Sequence, residues 1–144
     1  MDYQYYNIGS CNKQAGCVKR ALSAVSGLDL SDLNDLINAN MVDHSKPYNS
    51  RINYEHIISM LGGRLIKASA INKMWHVNSI EKILPDHLSF IIYIYNHVFA
   101  VNNNIIYDIK DDRIGNRAIQ RLYVFNATDE EFEDIKQKFL GGEY

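Results

Sequence analysis

The sequence predicts an α+β fold in which several helices come first along the chain and pack on a C-terminal antiparallel sheet. Three observations indicate this order. Apolar residues recur at helical spacing in the first part of the chain, short runs rich in β-branched and aromatic residues follow, and a capped helical segment lies near the C-terminus. The chain has 144 residues, two prolines, no repeats and no low-complexity tract, so we expect a single domain over residues 1–144.

The predicted helices have recognisable start and stop signals. Polar capping residues precede the apolar positions, and glycines follow two of the segments, where the left-handed conformation suits them. Thr128 and Glu131 form a capping-box pattern at the start of the last helix. The helices are expected at Gly16 to Ser26, Ser31 to Ala39 with Ser31 as cap, Asn53 to Leu61, a brief turn between Asn78 and Pro85, and Asp129 to Leu140.

The predicted strands are short and dominated by valine, isoleucine, phenylalanine and tyrosine. Most of them fall in the second half of the chain, and the N-terminal tyrosines favour an additional edge strand. The main strands are expected at Arg64 to Ala68, Ser89 to Tyr95, His97 to Val101, Asn104 to Ile109 and Arg121 to Phe125.

Composition argues against several classes of function. The formal net charge is -2, and lysine and arginine form no basic block, so a nucleic-acid partner is not expected. No apolar run approaches the roughly 18 residues that a membrane-spanning helix needs, so no membrane partner is expected. The N-terminal segment MDYQYYNIGS is acidic and aromatic, which is typical of neither a secretory signal nor a transit peptide, and a cytoplasmic location is expected.

The chain has two cysteines, Cys11 and Cys17. A cytosolic location disfavours a disulfide, and the absence of a nearby histidine pair disfavours zinc, so we expect free thiols with no metal or cofactor. Cys17 follows Gly16 at a predicted helix start, where unpaired N–H groups and the helix dipole lower a thiol pKa. The alternative is a buried cysteine that serves as a small apolar side chain. Cys11 is the weaker nucleophile candidate because no clear helix start follows it.

The segment from His97 to Asp108 predicts a β-hairpin around the run Asn102-Asn103-Asn104. If Asn102 and Asn103 are the turn residues, His97 lies directly opposite Asp108, and both side chains point to the same face of the sheet. A carboxylate at that position can fix the imidazole tautomer and stabilise its protonated form. The alternative is a surface ion pair at the end of a hairpin.

An oxyanion hole needs hydrogen-bond donors close to the nucleophile. The backbone N–H of Cys17 is one candidate. A side-chain amide is a candidate for the second donor, with Gln14 and Asn12 nearest in sequence and Gln4 more distant.

The order of these features resembles the papain-like cysteine peptidase superfamily, especially its small bacterial and phage members and the bacteriocin-processing peptidase domains. The resemblance rests on a cysteine that opens a helix, a later strand His-Val-Phe-Ala-Val, and a returning strand Asn-Ile-Ile-Tyr-Asp. It implies a papain-like fold with Cys17 as nucleophile, His97 as general base and acid, Asp108 as its orienting group, and Gln14 as oxyanion donor.

The function expected from this resemblance is cysteine-dependent hydrolysis of acyl bonds, peptide or isopeptide, with a protein or peptide as substrate. Two alternatives stay open. One is a non-catalytic phage effector or interaction module on the same scaffold, and the other is acyl transfer or deamidation, which shares the acyl-enzyme intermediate.

Overall fold

The computed structural model describes residues 1–8, 16–69, 73–114 and 116–143. These residues form four α-helices, six strands and a 3₁₀ turn at Ile80–Lys82. In chain order the helices and strands are β1 (Asp2–Tyr5), α1 (Cys17–Ser26), α2 (Leu30–Asn40), α3 (Arg51–Met60), β2 (Arg64–Lys67), β3 (Ser89–Ile94), β4 (His97–Asn102), β5 (Ile105–Asp108), β6 (Arg121–Phe125) and α4 (Asp129–Leu140).

The six strands form one sheet in the order β1-β5-β4-β3-β6-β2. β1 runs parallel to β5, whereas all other neighbours are antiparallel. The α+β class is therefore confirmed, but the prediction of a purely antiparallel sheet was wrong. β1 and β5 are far apart in sequence and share no hairpin, so no tight turn requires them to be antiparallel.

Both faces of the sheet are covered, which explains why its central strands are almost entirely apolar. On one face Ile91 and Ala100 pack with the buried residues of α1, α2 and α3. On the opposite face Phe90 and Ile92 pack with α4 and with the segment around Trp75. The prediction placed the N-terminal helices against the sheet, and the structure adds a second layer behind it.

Two helix starts differ from the predicted ones. The N-cap of α2 is Asp29, whose carboxylate accepts a hydrogen bond from the Asp32 N–H at 2.8 Å, so Ser31 lies inside the helix. Similarly, α3 begins at Arg51, and Asn53 is one of its buried residues. The Asn53 side chain accepts from the Val42 N–H at 2.9 Å and so holds the preceding loop, which is the use of this asparagine that the helix-start prediction missed.

The last helix begins as predicted. The Thr128 hydroxyl accepts from the Glu131 N–H at 3.1 Å, and the Glu131 carboxylate accepts from the Thr128 N–H at 3.0 Å. This capping box satisfies backbone donors that the helix itself cannot satisfy. None of the helices in the described part of the chain has the length and apolar character that crossing a membrane requires.

The β4–β5 hairpin is present, but its predicted register was wrong. Asn103 and Asn104 are the turn residues, with φ of 50° and 58°, and the pairs are Ala100 with Tyr107, Val101 with Ile106, and Asn102 with Ile105. Asn102 stays in β4, where its side-chain amide donates to the carbonyl of Ala24 in α1 at 2.7 Å.

This register differs from the predicted one by two residues, so each side chain keeps the predicted face of the sheet. Continued to the ends of the strands, the observed register makes Asp108 a diagonal neighbour of His97 rather than its direct partner. Diagonal neighbours lie within reach of long side chains. The inference that His97 and Asp108 share a face therefore holds although the turn was misplaced.

Candidate active site

Cys17 is the first residue of α1, and it stands where that helix meets the start of β4. Its side chain is half-buried and is a free thiol. The sulfur hydrogen-bonds with the His97 side chain and accepts from the backbone N–H of Val98. The residue before it is Gly16, which has no side chain that could cap the helix, and the first turn of α1 contains no acidic residue.

Burial alone would raise the pKa of the Cys17 thiol, but four other effects outweigh it and lower the pKa. The hydrogen bond with His97 and the Val98 N–H stabilise the thiolate, and the positive charges of His97 and Arg20 add to this. A thiolate is the nucleophilic form of cysteine, so each effect increases the fraction of Cys17 that can react.

His97, the first residue of β4, is buried and lies between the thiol and a carboxylate. Its Nε2 is 2.5 Å from Oδ2 of Asp108, which leaves Nδ1 as the ring nitrogen available to Cys17. Burial would lower the pKa of the imidazole, but hydrogen bonds with Asp108, Asp112 and Cys17 raise it to about 10. The raised His97 pKa and the lowered Cys17 pKa together favour a thiolate–imidazolium pair at neutral pH.

Asp108 is the last residue of β5 and is held on several sides. Oδ1 accepts from the Ile109 N–H at 2.7 Å and lies 3.6 Å from Nε of Arg20. The Asp108 carbonyl accepts from the Tyr6 N–H at 2.9 Å, next to the parallel β1–β5 pairing. Burial would raise the pKa of the carboxyl, but the hydrogen bonds with His97 and Asp112 lower it. The carboxylate is therefore fixed in position and remains charged.

A second carboxyl group, Asp112, lies on the same side of the imidazole and was not predicted. Its Oδ2 is 3.4 Å from Nε2 of His97, and the side chain is buried. Burial, together with a hydrogen bond to the carboxylate of Asp108, raises its pKa to about 6. Protonated Asp112 can donate to Asp108. The sequence shows only two aspartates after a strand, and nothing in that pattern indicates that the loop turns back to His97.

His97, Asp108 and Asp112 could in principle supply one nitrogen and two carboxylate oxygens to a metal ion, since these atoms lie within 4.8 Å of one another. A direct hydrogen bond already joins the first two residues, and the Arg20 guanidinium lies beside Asp108. A metal ion at this position would replace the first contact and be repelled by the second. The three side chains therefore fit a hydrogen-bonded cluster better than a metal site.

The two basic residues that follow Cys17 point in different directions. Lys19 lies over the ring of Tyr48, with Nζ 4.3 Å from the ring centre. Arg20 is 1% exposed, and its guanidinium points towards Asp108. The positive charge of Arg20 therefore stabilises the thiolate, and it lies beside the carboxylate behind His97. A positive charge beside the helix start was visible in the sequence, but its direction was not.

Cys17 and His97 open onto a cleft of about 510 Å³, which is within the usual range for a small ligand or a few peptide side chains. Its walls come from the start of α1, the loop before α3, the first turn of α3, the end of β3 with the turn into β4, and the start of β6. The other lining residues are Val18, Asn49, Arg51, Tyr54, Tyr93, Asn96, Val98 and Arg121.

Three of the candidate residues lie outside the described part of the chain. The candidate oxyanion donors Gln14 and Asn12 and the weaker nucleophile candidate Cys11 all fall within residues 9–15. Two candidates for the oxyanion hole are in the described region. The side-chain amide of Gln4, in β1, is exposed and donates to the carbonyl of Tyr5 at 3.1 Å. The other candidate is the backbone N–H of Cys17. It belongs to the first turn of α1, where N–H groups have no partner within the helix.

Comparison of the chain with protein-family models, with curated proteins and with solved structures finds no match.

Proposed function

We propose that this chain is a cysteine hydrolase of acyl bonds in peptides or proteins, on a scaffold similar to that of the papain-like cysteine peptidases. Cys17 is the nucleophile, His97 is the general acid and base, and Asp108 orients the imidazole. A free thiolate nucleophile suits a reducing compartment, which agrees with a cytoplasmic location.

The observation that carries the proposal is the chain of hydrogen bonds from Cys17 through His97 to Asp108, with Cys17 and His97 open to one cleft. The two ends of this chain come from distant parts of the sequence. A cysteine that served only as a small apolar side chain would need neither a buried imidazole beside it nor a charged carboxylate behind that imidazole.

The reaction follows from these positions. The Cys17 thiolate attacks the acyl carbon, and a C–S bond forms while the carbonyl oxygen becomes an oxyanion beside the N-terminus of α1. His97 donates its proton to the departing amine as the C–N bond breaks, which leaves a thioester. Neutral His97 then takes a proton from water, the resulting hydroxide attacks the thioester, and the C–S bond breaks to release the acid and restore the thiolate.

Asp108 supports both halves of the reaction without exchanging a proton. Its hydrogen bond to Nε2 directs Nδ1 towards Cys17, and its charge stabilises the imidazolium that precedes each proton donation. Acyl transfer would use the same thioester with an amine in place of water. Formation of the thioester at Cys17 is therefore the step to test first.

The test uses an activated acyl ester, p-nitrophenyl acetate, because it needs no knowledge of the natural substrate. We expect a burst of nitrophenolate and an acetyl adduct at Cys17 by mass spectrometry. Cys17→Ser should remove both signals, and Cys11→Ser should preserve them. Turnover of a peptide library by the wild-type protein then separates hydrolysis from transfer, because transfer requires an added amine.

Two results would contradict the proposal. One is the absence of an adduct at Cys17. The other is acetylation at an equal rate in His97→Ala, since the imidazole would then play no part in the attack. Either result would favour the alternative of an interaction module.

A further inference from the structure

The cleft beside Cys17 carries more positive than negative charge. Arg51 and Arg121 both line it, and the raised pKa of His97 adds a third cation at neutral pH. The Cys17 thiolate balances His97. The two arginines share one carboxylate, Glu55, which does not itself line the cleft.

The Glu55 carboxylate accepts three side-chain hydrogen bonds. Its Oε1 accepts from Nε of Arg51 at 3.1 Å, from Nη1 of Arg121 at 3.3 Å and from the hydroxyl of Tyr123 at 2.7 Å. All three donors converge on the same oxygen, and one negative charge cannot neutralise two guanidinium groups. One positive charge therefore remains on this wall of the cleft.

Arg121 is the better placed of the two arginines to hold a ligand. Its side chain is 9% exposed, and the central carbon of its guanidinium lies over the ring of Tyr93, 3.8 Å from the ring centre. Within the described residues, its side chain donates only the one hydrogen bond from Nη1 to Glu55. A guanidinium fixed in this way can bind a carboxylate with little further loss of conformational freedom. Arg51 is 50% exposed and is less constrained.

From this arrangement we propose that the cleft selects a substrate that carries a carboxylate close to the bond attacked by Cys17. This inference rests on the proposed hydrolase function and names its substrate class. The carboxylate belongs either to an aspartate or glutamate side chain or to the free C-terminus of a peptide. Both sources present the same planar anion to Arg121, with Arg51 beside it.

The first test compares two alkylating reagents of similar size, the anion iodoacetate and the neutral iodoacetamide, at Cys17. The rate constant for iodoacetate divided by that for iodoacetamide measures how strongly the cleft attracts a carboxylate. We expect this ratio to fall about five- to tenfold in Arg121→Gln, and about two- to threefold in the more exposed Arg51→Gln. Arg121→Lys keeps the charge but loses the planar guanidinium with its paired N–H donors, so its rate ratio should lie between those of wild type and Arg121→Gln.

Arg64→Gln is the matched control. Arg64 is also an arginine in an ion pair, with Asp129 at 3.0 Å, but it does not line the cleft. Its substitution should leave the ratio unchanged. Thermal unfolding of each variant checks that Arg121→Gln folds, and Arg51→Gln provides a second, half-exposed position if it does not.

The second test separates the two sources of the carboxylate by protection of Cys17 from iodoacetamide. Four peptide pools combine an acidic or a neutral side chain with a free or an amidated C-terminus. Protection by the acidic amidated pool indicates a side chain, and protection by the neutral pool with a free C-terminus indicates the terminal carboxylate.

The outcomes distinguish failure of this inference from failure of the hydrolase proposal. An activated Cys17 whose reagent ratio is equal in wild type and Arg121→Gln would overturn the inference alone. Equal protection by the neutral amidated pool would do the same. If Cys17 reacted with both reagents at the rate of an ordinary thiol, the hydrolase proposal would fail and the inference with it.

Discussion

The N-termini of α1 and α4 differ in whether side chains cap their backbone N–H groups. At α4, Thr128 and Glu131 form a reciprocal capping box, and three acidic residues occupy the first turn. At α1, Gly16 offers no capping side chain, and the first turn contains no acidic residue. The positive end of α4 is therefore satisfied by its own side chains, while at the start of α1 the first residue is Cys17 and no acidic side chain is present in the first turn.

This difference separates a structural helix start from one suited to chemistry. Side-chain caps and acidic residues stabilise a helix but would compete with an anion at the same N–H groups. At α1 the negative charge is supplied by a thiolate, which is stabilised by His97 and the Val98 N–H of β4 and by Arg20 of α1 itself.

The largest effect is expected from Asp108→Ala, which removes the buried carboxylate behind His97. The buried Arg20 and His97 would lose this counter-charge, so the free energy of unfolding should fall by about 3 kcal/mol or more. The pKa of Cys17 should rise, because a less basic His97 stabilises the thiolate less. Urea unfolding and the alkylation rate measure the two effects.

Two controls accompany this variant. Asp108→Asn keeps the shape and one of the two acceptor oxygens but removes the charge, so it should be destabilised less than Asp108→Ala. Asp134→Ala breaks the exposed pair with Lys138 in α4, and it should cost less than about 1 kcal/mol and leave Cys17 unaffected. Equal destabilisation by the buried and the exposed substitution would show that the cluster around His97 is not held by charge.

A smaller effect of opposite sign is expected from Asp112→Asn. Folding raises the pKa of Asp112 to about 6 from an ordinary value of 3.8, so the folded protein holds this proton more tightly than the unfolded chain does. Stability is therefore lost as the pH rises between these two values. The asparagine variant avoids this loss and should be more stable than wild type above about pH 6, by roughly 2 to 3 kcal/mol.

Below about pH 4 the side chain at position 112 is neutral in both proteins, as a protonated aspartic acid in wild type and as an amide in the variant. The two proteins should therefore have similar stability there. The measurement is the unfolding free energy of each protein between about pH 4 and pH 7. A stability difference that does not change with pH would mean that Asp112 titrates normally in the folded protein.

The smallest of these effects is expected at α4. Thr128→Ala removes the cap and should lower the unfolding free energy by about 1 kcal/mol, whereas Thr128→Ser keeps the hydroxyl and should cost less. Neither variant should change the alkylation rate of Cys17. A change in that rate would indicate that α4 and the site are coupled, contrary to the separation between the two helix ends.

The sequence predicted most of the elements because local signals mark them. The capping box fixed the start of α4, and β6 was predicted at Arg121–Phe125, as observed. The parallel pairing of β1 with β5 was missed because it joins distant segments, and no local pattern encodes such a pairing. The hairpin turn was misplaced by one residue because three consecutive asparagines all tolerate positive φ, and the Asn102 contact with α1 decides between them.

The candidate site divides in the same way. Cys17, His97 and Asp108 could be predicted because a helix start and a hairpin place them by local rules. Asp112 and Arg121 could not, since their positions depend on how a loop and a strand pack against other elements. The Arg51–Glu55 ion pair could be predicted from its i,i+4 spacing in a helix. Its effect on the charge of the cleft could not, because that effect depends on the contact between Glu55 and Arg121.

The most direct test of the central claim is the pH dependence of alkylation at Cys17, followed by mass spectrometry in wild type and in His97→Ala. The account predicts that wild-type Cys17 reacts rapidly well below the ordinary thiol pKa of about 8.5, and that His97→Ala reacts at the same pH at least about tenfold more slowly. Identical profiles in the two proteins, each rising only near pH 8 to 9, would contradict the claim that His97 activates Cys17.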